Sequence, residues 1–196
     1  QSEECFAPNH PQKPELGKRV VPFSKELWIE REDFTETPPK GYFRLFPGNK
    51  VRLRYGFVIE CTGYDAATDT VHCTYDADTK SGTPGSDKVK VKGNIHWVSA
   101  QHSYAAEVRL YDRLFSHEDL NHIPEGVDWR TLLNPGSLSV IRGKVEPALL
   151  ALAPATRVQF ERTGYFCVDA KDSQPGKPVF NRTVTLKDSW AKQAGK

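Results

Sequence analysis

An all-β fold is what this sequence predicts, and three observations carry the prediction. Gly and Pro number 14 each and stand between short segments rich in Val, Ile, Thr, Tyr, Phe and Trp, the punctuation of strands joined by turns. Several segments alternate apolar and polar residues with period two, as half-buried strands do. Sustained helical periodicity is scarce.

Taken in order, the predicted strands are residues 19–23, 26–30, 50–61, 70–75, 88–98, 107–114, 158–161, 165–169 and 179–186. In the third, Val51, Leu53, Tyr55, Phe57 and Ile59 share one face while Arg52 and Arg54 share the other, so the apolar face reads as core and the arginines look outward. Lys88, Lys90 and Lys92 alternate with Val89 and Val91 in the fifth; Arg109, Tyr111 and Arg113 alternate with Val108, Leu110 and Leu114 in the sixth. Helix is predicted in two short connectors, 128–133 with Asp128 as cap and 146–152 with Pro147 in its first turn. The stretches DAATD at 65–69 and TKSGTPGSD at 79–87 read as exposed loops, and no repeat or low-complexity tract interrupts the pattern.

A chain of 196 residues, 38% hydrophobic and 27% charged, suits one globular domain or two small barrels. Its longest apolar run, PALLALAP at 147–154, is far shorter than the roughly 20 residues that span a bilayer, and no signal peptide opens the chain, so no membrane role is expected. A net charge of +2 means that any nucleic-acid binding must come from local clusters of Arg and Lys. Cys5, Cys61, Cys73 and Cys167 form no C-x-x-C pair and read as free thiols of a reducing cytosol. A chain that opens on Gln1 and holds no Met reads as a piece of a longer polypeptide.

No metal site is predicted, because His72 and Cys73 are adjacent on a strand and point to opposite faces, and zinc-ligand spacings are missing. No catalytic residue is predicted either: the nucleophile elbow, the phosphate-binding loop and the dinucleotide fingerprint are all absent. Glu30, Glu32 and Asp33 around Arg31, and Glu118 and Asp119 after His117, read as solvated surface. What remains is arginine among aromatics on predicted strands: Tyr42, Phe43, Arg44, Phe46, Arg52, Arg54 and Tyr55, then Arg109, Tyr111 and Arg113, then Gln159, Arg162 and Tyr165. Single-stranded RNA is read by stacking splayed bases on aromatic or guanidinium planes and bonding their edges. On one strand, Arg52 and Arg54 would lie about 6.6 Å apart, close to the spacing of neighbouring unstacked nucleotides. Pairing of both arginines with cross-strand carboxylates is an equal alternative at this point, and core packing suits Phe43, Phe46 and Tyr55.

Several long, ordered blocks carry a resemblance: PNHPQKPELGKRVVPFS (8–24), FRLFPGNKVRLR (43–54), CTYDADT (73–79), VKGNIHWVSA (91–100), VRLYDRLF (108–115), QFERTGYFCVD (159–169) and PVFNRTVTLKDSWAK (178–192). Through them the chain closely resembles the C-terminal anticodon-binding region of the glutaminyl-tRNA synthetases. The resemblance implies two partly open six-stranded β-barrels, similar to the ribosomal protein that binds 5S RNA, one inserted in the other, with the anticodon gripped at their junction. It places the inserted, distal barrel at 27–112 and the proximal barrel in 1–26 plus 113–196. Arg44 stands where the family reads the third anticodon base, a guanine whose O6 and N7 accept an arginine fork. Arg52 and Arg54 stand at the first base, and Gln159 and Arg162 in the pocket for the middle uracil. Lys187 and Ser189 occupy secondary RNA-contact positions, as does Phe43. Gly41 and Phe43 depart from a bacterial family member that has glutamine and lysine there, and Phe43 offers a ring for stacking.

The resemblance further implies a cytoplasmic, monomeric parent that attaches glutamine to its tRNA with ATP and Mg. The HIGH and KMSKS signatures of that chemistry are missing from these residues, so this segment needs no cofactor and has the glutamine tRNA as its partner. The related glutamyl-tRNA synthetases, a 5S RNA-binding ribosomal protein, and a secreted β-sandwich glycosylated at Asn181 are the competing readings.

Overall fold

The computed structural model describes residues 2–123 and 125–186. The chain is all-β: among the described residues there is no α-helix, and the helical segments are short 3-10 turns. In chain order the strands are β1 (Glu3–Pro8), β2 (Lys18–Phe23), β3 (Leu27–Ile29), β4 (Lys50–Leu53), β5 (Val58–Asp65), β6 (Thr70–Asp76) and β7 (Gly93–Ile95). They continue with β8 (Trp97–Ser99), β9 (Tyr104–Tyr111), β10 (Leu138–Val145), β11 (Arg157–Phe160), β12 (Gly164–Val168) and β13 (Val179–Thr185). None of the helical turns is long and apolar enough to cross a membrane.

Two compact units divide the strands, the first reaching to Ser103 and including Glu146–Ala148, the second holding Tyr104–Val145 and the described residues from Leu149 to Leu186. In the first, β6, β5, β4 and β7 form a sheet in that order, with β4 parallel to β7 and the other pairs antiparallel. β3 pairs with β8 and β1 with β2, both antiparallel. Val51, Leu53, Phe57, Ile95 and Trp97 form its buried core together with Cys5, Ala7 and Val21. Alternation in β1, where Cys5 and Ala7 are buried and their neighbours are not, puts this strand against the core of the first unit.

The second unit is one five-stranded sheet ordered β10-β9-β13-β12-β11, antiparallel except where β13 runs alongside β9. Phe160 stacks on Phe166 at 4.3 Å between centroids, and Phe180 meets Phe160 edge-on at 5.2 Å. These rings, with Val108, Val145 and Val168, fill its core. Behind the sheet's parallel seam, Asp169 accepts hydrogen bonds from the Asp172 and Lys171 amides at 2.7 and 2.8 Å and from Asn181 Nδ2 at 2.6 Å, and lies 3.5 Å from Arg109 Nη1. Those donors, the Asp172 amide foremost, hold its carboxyl down at about 2 against an ordinary 3.8. A depressed carboxyl adds stability above its unfolded value and loses it as pH falls. We expect acid unfolding to take effect as pH drops from 3.8 towards about 2, with Asp169→Asn flattening that limb of the stability curve in denaturant titrations.

Two predicted strands are each broken in two, and two further strands, β1 and β10, were not foreseen. Residues 88–92 form no strand, Lys88 N donating back to Gly85 O at 3.0 Å, so β7 starts only at Gly93. The stretch 50–61 breaks after Leu53: Gly56 N donates to Leu53 O at 2.7 Å and Leu53 N to Phe57 O at 2.8 Å, closing a hairpin turn over Arg54, Tyr55 and Gly56. β1, which is acidic and ends on proline, and β10, with Val140 and Ile141 on an edge strand, are the additions. The two predicted helical connectors are 3-10 turns, Trp129–Leu132 capped by Asp128 and Pro147–Ala151 opened by Pro147.

Candidate nucleic-acid interface

Arg52 owes its position to β4, where Val51 and Leu53 are buried and Arg52 faces the other way. Its guanidinium reaches a loop that the sequence marks as exposed. Nη1 donates to Thr79 O at 2.7 Å and Nη2 to Ser86 O at 2.7 Å, with longer contacts to Ser81 Oγ and Gly56 O. Thr79 sits at the end of a turn capped by Asp76 and is itself fixed, its Oγ1 accepting from Val58 N at 2.8 Å and donating to Asp76 O at 2.6 Å. Arg52 therefore fastens the 79–86 loop to the sheet.

The break after Leu53 removes the premise that Arg52 and Arg54 alternate along one strand. Arg54 lies in the hairpin turn, its N–H donating to Ile95 O and its carbonyl accepting from Trp97 Nε1, each at 2.9 Å. Its guanidinium carbon is 5.2 Å from the ring centroid of Tyr55, a cation–π distance. Tyr55 has φ 60°, the left-handed conformation that the third residue of such a turn demands and that a bulky side chain resists. Strain of this kind gathers where a fold presents side chains for use.

Arg44 comes from the segment between β3 and β4. Phe34 and Leu45 are buried and paired in a parallel bridge, Leu45 N donating to Asp33 O at 2.9 Å and Thr35 N to Leu45 O at 3.2 Å. This brings Arg44 Nη1 to 2.7 Å from Asp33 Oδ1. Asp33 is 0% exposed, so the expectation of a solvated carboxylate there is corrected; the bridge that buries its neighbours draws it inward, and the guanidinium compensates its charge. Next to Arg44, Phe43 exposes its ring and Lys92 Nζ lies 5.2 Å from the centroid. Gly41 has φ 86° with nothing near its Cβ position, which a glutamine would adopt only under strain.

In the second unit Gln159 lies on β11, exposed, between half-buried Val158 and Phe160. It stands directly across from Tyr165 of β12, whose ring is exposed too. Arg162 occupies the connecting turn with φ 65° and is exposed, and Thr163 N closes the turn on Phe160 O at 2.9 Å. Amide, aromatic ring and guanidinium thus share one hairpin. Lys187 and Ser189 lie outside the described residues.

The structure brings Arg44, Arg52 and Arg54 into one unit and Gln159 with Arg162 into the other. Asp33 and the carbonyls of Thr79 and Ser86 are the partners that sequence reasoning missed. No local signal marks them, because each is defined by a contact with a residue distant along the chain.

Two family models, both described as tRNA synthetases class I (E and Q), anti-codon binding domain, match residues 1–76 and 94–169. The chain is 66% identical over 196 residues to a glutamine–tRNA ligase of Cupriavidus necator, covering 98% of this chain and 33% of that protein. Proteins of the same name from Ralstonia nicotianae and Nitrosomonas europaea are 62% and 55% identical, with 97% of this chain covered in each case and 33% and 34% of the relative. The chain spans about a third of the length of the curated relatives it matches. With both family models on an all-β chain, it belongs to the anticodon-binding domains of the class I tRNA synthetases (E and Q).

Proposed function

We propose that the chain is the anticodon-binding region of a glutaminyl-tRNA synthetase, which selects glutamine tRNA so that the parent enzyme can attach glutamine with ATP. The observation that carries this reading is 66% identity across 98% of the chain to a relative named glutamine–tRNA ligase. In this reading the parent works as a cytoplasmic monomer, and ATP and its Mg are bound outside these residues. Arg44 reads the guanine at the third anticodon position. Arg54, stacked on Tyr55, and Arg52, through the loop it fastens, form the wall that holds the first base. Gln159 and Arg162 receive the middle uracil, whose edge offers a donor and acceptors that an amide can match, and the exposed Tyr165 ring beside them suits base stacking. Phe43, Lys187 and Ser189 are assigned secondary RNA contacts.

Binding to a glutamine tRNA transcript, and to copies with each anticodon base changed in turn, tests the proposal. Each change is expected to weaken binding by about 1 to 3 kcal/mol, the usual cost of one lost base contact. Equal affinity for every transcript would remove anticodon reading from this chain.

A further inference from the structure

We propose that Asp33 is a positioning residue that makes Arg44 a reader of a base edge instead of a clamp on phosphate. The inference rests on the reading of Arg44 as the third-base contact. Asp33 is 0% exposed and Arg44 36%, with Nη1 and Oδ1 2.7 Å apart. The ion pair joins a buried anchor to a side chain that reaches solvent.

Both partners sit on fixed backbone. Asp33 N donates to Glu30 O at 2.9 Å and Asp33 O accepts from Leu45 N at 2.9 Å, while Arg44 O accepts from Asn49 Nδ2 at 2.7 Å. Arg44 Nη1 also makes a longer contact with Glu32 O, at 3.4 Å. An arginine held at its backbone and at one nitrogen has little rotamer freedom left to lose, which favours a contact that depends on direction.

The second consequence is electrostatic. A free arginine on an RNA-binding face attracts any phosphate, and each phosphate neutralised adds about 0.7 to the salt slope for a single strand. A buried carboxylate beside the guanidinium offsets that charge. It leaves the planar N–H pattern, which matches guanine O6 and N7 but not the edge of adenine. Asp33 thus trades general affinity for selectivity at one position.

Two variants of the whole chain, compared with the unaltered protein, test this. The probes are an anticodon stem-loop RNA of the glutamine tRNA and its copy with adenine at the third position. Asp33→Asn keeps the shape and removes the charge. It is expected to lower discrimination between these two RNAs about tenfold, to leave discrimination against further copies changed at the first or the middle base as it is in the unaltered protein, and to steepen the salt dependence of binding. A merely structural role would lower affinity for all RNAs alike and would not steepen the salt slope. Arg44→Gln retains a hydrogen-bond donor for the buried carboxylate and serves if Asp33→Asn does not fold. It is expected to lose the same discrimination while changing the salt slope by less than about 0.3, because the charge removed was already offset. A fall of the slope by about 0.7 or more overturns the proposal. Should Asp33→Asn keep discrimination within twofold while Arg44→Gln loses it, Asp33 positions nothing and Arg44 still reads the base. If Arg44→Gln keeps discrimination intact, the third-base assignment and the role of Asp33 fall together.

Discussion

Gly93→Ala is expected to destabilise the first unit by about 3 kcal/mol, at the upper end of what overpacking costs. Gly93 opens β7 opposite Val51 of β4, and a Cβ there would run into the Phe43 carbonyl oxygen and come within 2.7 Å of Val51 Cγ1. The first obstacle is backbone, which cannot rotate away as a flexible side-chain tip could. Relief requires β7 to separate from β4 or the 41–46 segment to move outward. Both neighbours carry proposed RNA contacts, Phe43 preceding Arg44 and Val51 preceding Arg52. The substitution should therefore cost anticodon discrimination as well as stability. Denaturant titration would show the midpoint falling with an unchanged slope if the native state alone is affected. Gly63, with nothing within 4 Å of its Cβ position and no positive φ, is the control, and Gly63→Ala should stay within about 0.5 kcal/mol. Equal midpoints for the two variants would show that the close approach at Gly93 is not part of the folded state.

Arg52→Ala is the second large effect, also about 3 kcal/mol, since two short bonds from a charged group to carbonyls are lost together. Its signature is local. Ser81 N donates to Gly56 O at 2.9 Å, and Ser86 N and Lys88 N close turns at 3.2 and 3.0 Å. These amides should lose hydrogen-exchange protection when the guanidinium no longer holds Thr79 and Ser86. Arg52→Lys should rescue little, because an ammonium is a point donor and cannot span two carbonyls as a planar fork does. In RNA binding, discrimination at the first anticodon base should fall with the loop. Unchanged protection at Ser81, Ser86 and Lys88 would mean that the loop holds itself, leaving Arg52 no part in its order.

The contrast between these arginines shows how far the sequence could be read. Alternation around Val51 and Leu53 placed the core face of β4 correctly, and Arg52 does face away from it. The same alternation continues through Tyr55 and Phe57, so nothing in the period marks the hairpin turn at Arg54–Gly56. Gly56, two residues before Val58, is compatible with a strand as well as a turn. Charged neighbours make Asp33 read as solvent-facing, whereas its burial comes from Phe34 and Leu45, 11 positions apart, pairing beside it. The lysine alternation at 88–92 failed for a related reason: that segment follows a loop tied to Arg52, and the ladder begins only at Gly93.

The sequence by itself determined the fold class, the apolar faces of most strands and the family, since each depends on local pattern or on long matching blocks of residues. Composition and period two suffice for strands because side chains alternate across a sheet whatever lies next to it. Only the tertiary structure decided which charges stay exposed and which hold the protein together. Arg52 fastens a loop and Arg44 leans on a buried carboxylate because of contacts with residues 27 and 11 positions away. Electrostatic partners are chosen by proximity in space, and a local pattern contains no term for it.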